Sequence, residues 1–160
     1  SHGTSAMRSY VSALTPSALR EALETDKVFD REITSFRGVC FFLSNMYDAP
    51  CAFEDAEYAT VEHAFQAAKM APAERAQFRA AGLDAKAAKR LGRKTPLFKG
   101  DKWWDANKVG IMESCVRSKF FRDAALGALL VATGDRALIE GNTWDDTYWG
   151  AVAKGDGLEG

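Results

Sequence analysis

A chain of 160 residues and 17.5 kDa is the size of one domain with room for a real core, and 47% hydrophobic with 27% charged residues is an ordinary globular composition. No apolar run approaches the length needed to span a bilayer and no signal-peptide pattern opens the chain, so neither a membrane nor export is expected. A net charge of −1 with a pI near 6.1 excludes a global basic field for bulk nucleic-acid binding. Three cysteines without metal-ligand spacing point to reduced thiols in a cytoplasmic protein, Cys40 and Cys115 being small core residues. Only two histidines exist, His2 and His63, which argues against a histidine metal site.

Ser1 to Ala6 reads as an expression-tag remnant, leaving residues 7–160 as a single domain. Thr15-Pro16 then opens a helix expected to reach Asp26, with Ala18, Leu19, Ala22 and Leu23 inward. Short β-prone runs follow at Val28–Ile33, Val39–Leu43 and Cys51–Phe53. Thr60 suits the cap of a helix over 60–71, Pro72 starts a second that Gly82 ends, and a third runs from Asp84 to Leu91 with Gly92 closing it. Residues 95–101 read as loop. A long helix from Trp104 to Phe121 is expected to bury Val109, Met112, Val116 and Phe120, and a last one covers 123–132 before Thr133-Gly134. Helices carry most of the chain and strands are few, so the fold class is α+β, with helices packed around a small sheet.

The charge is unevenly spread. Between Asp84 and Lys102 stand seven cations (Lys86, Lys89, Arg90, Arg93, Lys94, Lys99, Lys102) against two acids, a local balance of +5. The plain reading is a solvated basic face; the sharper one is a rim facing phosphates. In the helix after Thr60, residues Glu62, Gln66 and Lys69 recur at i, i+4, i+7 and share one stripe, while Ala64, Phe65 and Ala68 face elsewhere. An acid, an amide and an amine in one row suit either a solvated face or a pocket wall.

Other segments align with that row. Phe36, then Leu43-Ser44-Asn45-Met46, precede it. Trp104 with Met112, Lys119-Phe120 and the closing Asp146-Thr147-Tyr148-Trp149-Gly150 follow it. In this order and spacing the chain resembles the NADAR (NAD and ADP-ribose) or YbiA-like N-glycosidase superfamily over about residues 33–155. Met46 stands where Phe is usual, a change of similar volume. The Gly-rich end at Ala151–Gly160 stops where many members continue, so the C-terminal end reads as truncated.

The resemblance implies a YbiA-like fold and cofactor-free, metal-free hydrolysis of a ribose–nitrogen bond. The superfamily includes enzymes that remove ADP-ribose from guanine in nucleic acid and hydrolases of ribosylated intermediates of riboflavin biosynthesis. The basic segment favours the first, since a diphosphate or a DNA backbone carries more charge than one phosphate. A non-catalytic binder of ADP-ribose or an NAD-derived nucleotide is the alternative from another class. Breaking such a bond builds positive charge at the ribose C1′, so a carboxylate is wanted against the sugar. Glu62, in the first turn of its helix, fits that role, and Asp146 is the candidate second carboxylate, its plainer reading being a turn residue. Lys69 fits a phosphate or ribose contact, or an amine attacking C1′ of an opened ribose. For substrate binding the resemblance and chemistry select Asn45, Gln66, Trp104, Lys108, Arg93, Trp149 and Gly150. Trp104 is expected to show a ring face to the cleft. His63 is either a helper of this group or structurally satisfied.

Overall fold

The computed structural model describes residues 15–25, 32–54, 56–142, 144, 146–154 and 157–159. The chain packs as two compact units, one made of residues 45–124 and the other of the segments before and after it.

In the central unit, β2 (Cys51–Phe53) and β3 (Ala56–Tyr58) form an antiparallel hairpin with Cys51 opposite Tyr58 and Phe53 opposite Ala56. Helix α2 (Val61–Ala67) follows at once. Thr60 caps it as the residue type dictates, its Oγ1 accepting from His63 N–H at 3.2 Å. The helix is shorter than its sequence suggested. Past Ala67 the backbone tightens to i→i+3 bonds, Lys69 N–H to Gln66 O and Met70 N–H to Ala67 O, before the break at Pro72. The expected helix over 72–82 is a 3₁₀ helix, Pro72–Arg79.

Helix α3 (Ala85–Lys94) begins on Asp84, whose carboxylate accepts from Ala87 N–H at 2.7 Å. It does not stop at Leu91. Gly92 lies inside it, and the reason is packing: a Cβ there would overlap Gln66 Oε1 and stand 2.7 Å from Gln66 Cδ. The glycine lets α3 approach α2 closely. Helix α4 (Gly100–Arg122) begins four residues before Trp104. Its inward row is Trp104, Cys115 and Lys119, not the row through Val109, which is 55% exposed. Met112, Val116 and Phe120 are half-buried. Both rows have helical spacing; the core took the one carrying the large indole and the lysine's aliphatic stem. Phe65, Met70, Phe78 and Trp104 anchor this core, each buried apolar side chain contributing about 1.5–3 kcal/mol.

The flanking unit holds α1 (Pro16–Glu24), capped by Thr15 Oγ1 accepting from Ala18 N–H at 3.2 Å, with Leu19 and Leu23 buried. Asp26 and Val28–Arg31, assigned from sequence to helix end and strand, lie outside the described residues. The β-prone run Val39–Leu43 is instead part of a 3₁₀ helix, Gly38–Leu43. β-propensity measures fit to a pleated, partnered surface, and among the described residues no strand pairs with it, whereas i→i+3 bonds close the segment at both ends. Strands β1 (Glu32–Ile33) and β4 (Ala137–Leu138) pair in parallel, and β5 (Gly141–Asn142), β6 (Ala151–Lys154) and β7 (Gly157–Glu159) form a second small sheet. Helix α5 (Ala124–Ala132) ends at Gly134, φ 60°, as its sequence indicates. Arg136 ties the helix ends together, donating to Leu23 O at 2.7 Å and to Thr133 O at 2.9 Å. The class is α+β, with most of the chain helical. Among the described residues no helix is long and apolar enough to cross a membrane.

Candidate active site

The first turn of α2 collects the polar groups. Glu62 N–H donates to Asn45 O at 3.0 Å, so Asn45 sits against the helix N-terminus, and its amide Nδ2 donates to Met112 Sδ at 3.5 Å. His63 is held at both ring nitrogens: Nε2 lies 2.6 Å from Leu83 O and Nδ1 lies 2.7 Å from Thr60 Oγ1. A carbonyl only accepts, so Nε2 carries the proton and Nδ1 accepts from the threonine hydroxyl. His63 is therefore structurally satisfied, pinning the start of α2 to the loop before α3.

Glu62 and Gln66 are not a solvated face. They are 7% and 4% exposed, and every residue of α2 is buried. Gln66 Nε2 donates to Glu62 Oε1 at 2.9 Å, which turns Gln66 Oε1 toward Gly92, where it has no hydrogen-bond partner among the described residues. One turn on, Lys69 is half-buried with Nζ 5.6 Å from the Trp104 ring centroid and 5.9 Å from that of Phe65. Burial pushes its ammonium below the usual lysine range. Glu62 opposes that shift, and the positive charges of Arg93 and Lys89 reinforce it. Asn45, Glu62, Gln66, Lys69, Arg93 and Trp104 thus gather around α2.

Trp104 differs from the expectation. It is 8% exposed and packs against Phe65 with centroids 5.0 Å apart, so it is a core ring with Lys69 over it rather than an open stacking face. Its neighbour Trp103 is half-buried with Lys99 Nζ 4.7 Å from its centroid. Lys108 lies one turn beyond Trp104 and pairs with Asp105 at 2.9 Å. Lys89, half-buried on α3, was not singled out from the sequence except as part of the basic run.

Asp146, Trp149 and Gly150 belong to the flanking unit. The Asp146 carboxylate does what its turn reading foresaw: Oδ1 accepts from Tyr148 N–H at 3.1 Å and Trp149 N–H at 2.9 Å. Trp149 packs edge-on to Tyr148, with centroids 4.8 Å apart. At Gly150 a Cβ would stand 2.5 Å from Glu140 O and 2.7 Å from Asn142 Nδ2, so only glycine fits. The organiser of this loop is Asn142, which sequence reading missed. Its buried amide donates to Asp146 O at 2.7 Å and accepts from Asp146 N–H at 3.0 Å.

A carboxylate beside an amide, with a desolvated amine and two more cations close by, suits a sugar–phosphate compound in which positive charge develops at carbon. Among the described residues no group of three or more His, Cys, Asp or Glu could hold a metal ion. Residues 34–158 match the NADAR domain. The chain belongs to the NADAR domain family. It is 36% identical over 124 residues to the N-glycosidase Npun_R5314 of Nostoc punctiforme, covering 74% of this chain and 76% of the relative. It is likewise 36% identical over 117 residues to the N-glycosidase YbiA of Escherichia coli, covering 71% and 70%. The NMR structure of that protein superposes with a TM-score of 0.59 at 28% identity, over 80% of this chain and 79% of the other. A riboflavin biosynthesis protein of Vibrio vulnificus, VVA0006, matches at 31% over 72% of this chain but only 31% of its own length. By family and relatives the chain is an N-glycosidase, a hydrolase of N-glycosyl compounds.

Proposed function

We propose that this N-glycosidase removes ADP-ribose from guanine in nucleic acid, acting as an ADP-ribosyl hydrolase in the cytoplasm. The observation that carries the reading is the charge arrangement at α2. Among the described residues Glu62 is the acid that acts on Lys69, while Arg93 and Lys89 add positive charge there. A single sugar phosphate needs fewer cations; a diphosphate or a polymer backbone uses them all.

In this reading Glu62 stabilises the oxocarbenium-like C1′ as the bond to the base nitrogen breaks, and Gln66 holds the carboxylate oxygen in place. Lys69 either contacts a phosphate or attacks C1′ of the opened ribose as a free amine, its lowered pKa favouring the latter. Borohydride trapping of a covalent adduct separates the two roles. Asn45 and Arg93 contact the ribose and phosphates, and Trp104 backs Lys69. Lys108 extends the cationic side. Asp146 with Trp149 and Gly150 is assigned the second carboxylate and its wall on the family pattern.

A second reading, hydrolysis of ribosylated riboflavin-pathway intermediates, is favoured by the similarity to the Vibrio vulnificus riboflavin biosynthesis protein. Incubation with ADP-ribosylated guanosine in DNA, and separately with those ribosylated pyrimidines, decides between them. Release of free ADP-ribose is the expected result. Turnover of the pyrimidines alone overturns the ranking. Tight stoichiometric binding of ADP-ribose without turnover overturns catalysis in favour of a binder.

A further inference from the structure

The proposed pocket takes Arg93 and Lys89 from the basic segment, and Arg93 is also the last member of a longer row. On α3, Lys86, Arg90 and Arg93 recur at i, i+4, i+7 and are all exposed, while Ala88 and Gly92 face α2. Among the described residues none of these three cations, nor Lys94 beside them, takes part in an ion pair. The one acid at the helix start, Asp84, is occupied as its cap. The row also has a fixed position relative to the pocket, since α3 packs on α2 through Gly92 and Gln66, and Arg93 acts electrostatically on Lys69.

Just past this row in the chain comes an aromatic ring. Phe98 is 58% exposed, although its backbone is anchored: its N–H donates to the carbonyl of Lys69 at 3.0 Å. A large apolar side chain open to water, on backbone bonded to the end of the Glu62–Lys69 segment, has no role in the core. A row of unpaired cations together with an exposed ring on an anchored backbone is the combination that holds single-stranded nucleic acid, with phosphates along the cations and an unstacked base on the ring. A duplex keeps its base faces covered and cannot use the ring.

We propose that the exposed face of α3, through Lys86, Arg90 and Arg93, together with Phe98, is a docking surface for single-stranded nucleic acid that flanks the nucleotide entering the Glu62–Lys69 pocket. It rests on the proposed function in naming a polymer as substrate, but the binding surface can be tested without any turnover.

The probe is a short, unmodified, fluorescein-labelled oligothymidylate, followed by fluorescence anisotropy across a salt titration. Three phosphate contacts give a slope of log affinity against log salt near −2, or about 20-fold weaker binding between roughly 50 and 200 mM salt. Lys86→Glu with Arg90→Glu brings the slope to about −0.7 or flatter and weakens binding more than ~10-fold. Phe98→Ala leaves the slope unchanged and weakens binding roughly 5- to 100-fold, and Phe98→Trp restores it. All these positions are exposed, and circular dichroism checks that the variants fold. Hydrolysis of ADP-ribosylated guanosine as a mononucleoside is unchanged in each variant, while kcat/KM on the modified oligonucleotide falls with affinity.

Equal binding by wild type and both variants overturns the inference, as does binding of poly-glutamate or duplex DNA as tight as that of the single strand. If the oligonucleotide binds with the expected slope and variant effects but no ADP-ribose is ever released, the surface stands and the proposed function fails. If the mononucleoside is hydrolysed and the oligonucleotide is not bound, the function stands and the surface fails.

Discussion

Gly92→Ala sets two effects against each other at the contact that shapes the pocket. In a helix interior, alanine is favoured over glycine by about 1 kcal/mol, so propensity alone makes the change stabilising. The added Cβ, however, would stand 2.7 Å from Gln66 Cδ, where carbon–carbon contact is ~3.5–4.0 Å, and would overlap Oε1. Gln66 is 4% exposed and cannot simply swing into water. Overpacking of this kind costs about 1–3 kcal/mol. Displacing the amide also breaks its 2.9 Å bond to Glu62, leaving a buried acceptor short of a donor at ~1–3 kcal/mol. The losses outweigh the gain, and a net destabilisation of about 1–5 kcal/mol follows, read as a shift of the urea midpoint with unchanged slope. In a Gln66→Ala background only Gln66 Cβ, 3.1 Å away, remains in contact, and the same substitution becomes close to neutral. A Gly92→Ala protein more stable than wild type, or one equally destabilised in both backgrounds, would refute the claim that this glycine exists to admit Gln66.

Lys119 is 1% exposed, and burial pushes its ammonium down to about 8 from 10.5. The folded protein thus loses this proton before the unfolded chain does. The cost is fully present below pH 8, and stability rises with pH until about 10.5. Lys119→Met should abolish that rise and be more stable at neutral pH by up to ~3 kcal/mol, measured by urea unfolding across the pH range; an unchanged pH profile contradicts it. Asn142→Ala removes the donor and acceptor that hold Trp144 and Asp146, so a loss of about 1–3 kcal/mol is expected, together with a change in tryptophan near-UV circular dichroism. An unaltered spectrum would show that the loop holds without it.

What was legible in the chain was local chemistry. Thr15-Pro16, Thr60, Asp84 and Gly134 mark helix ends because a cap or a positive φ is decided by a few adjacent residues. The register of Glu62, Gln66 and Lys69 was equally readable. Whether that row met water was not, because its burial depends on α3 closing over it at Gly92, thirty residues from Glu62 in the chain. The same limit explains Gly38–Leu43: its residues suit a strand, but they form a 3₁₀ helix, and among the described residues no strand pairs with them. On α4 two rows had the right period, and the sequence offered no way to see that the core would accept Lys119 and leave Val109 outside. Trp104 lies under Lys69, and the packing of Phe65 that closes its expected open face was invisible from spacing. For Asp146 both readings were available, and the hydrogen bonds from Tyr148 and Trp149 realise the turn.

The central claim is that Glu62 makes this fold a hydrolase of ADP-ribosylated guanine, and the most direct measurement is product release by wild type and Glu62→Gln under identical conditions. The amide keeps the size of the carboxylate and can still meet Gln66, so the pocket should persist and ADP-ribose should still bind in calorimetry. Losing the charge should slow the appearance of free ADP-ribose and unmodified guanine by ~10²–10³-fold or more. Wild-type rates in Glu62→Gln, or no release of ADP-ribose by the wild-type protein, would contradict the account.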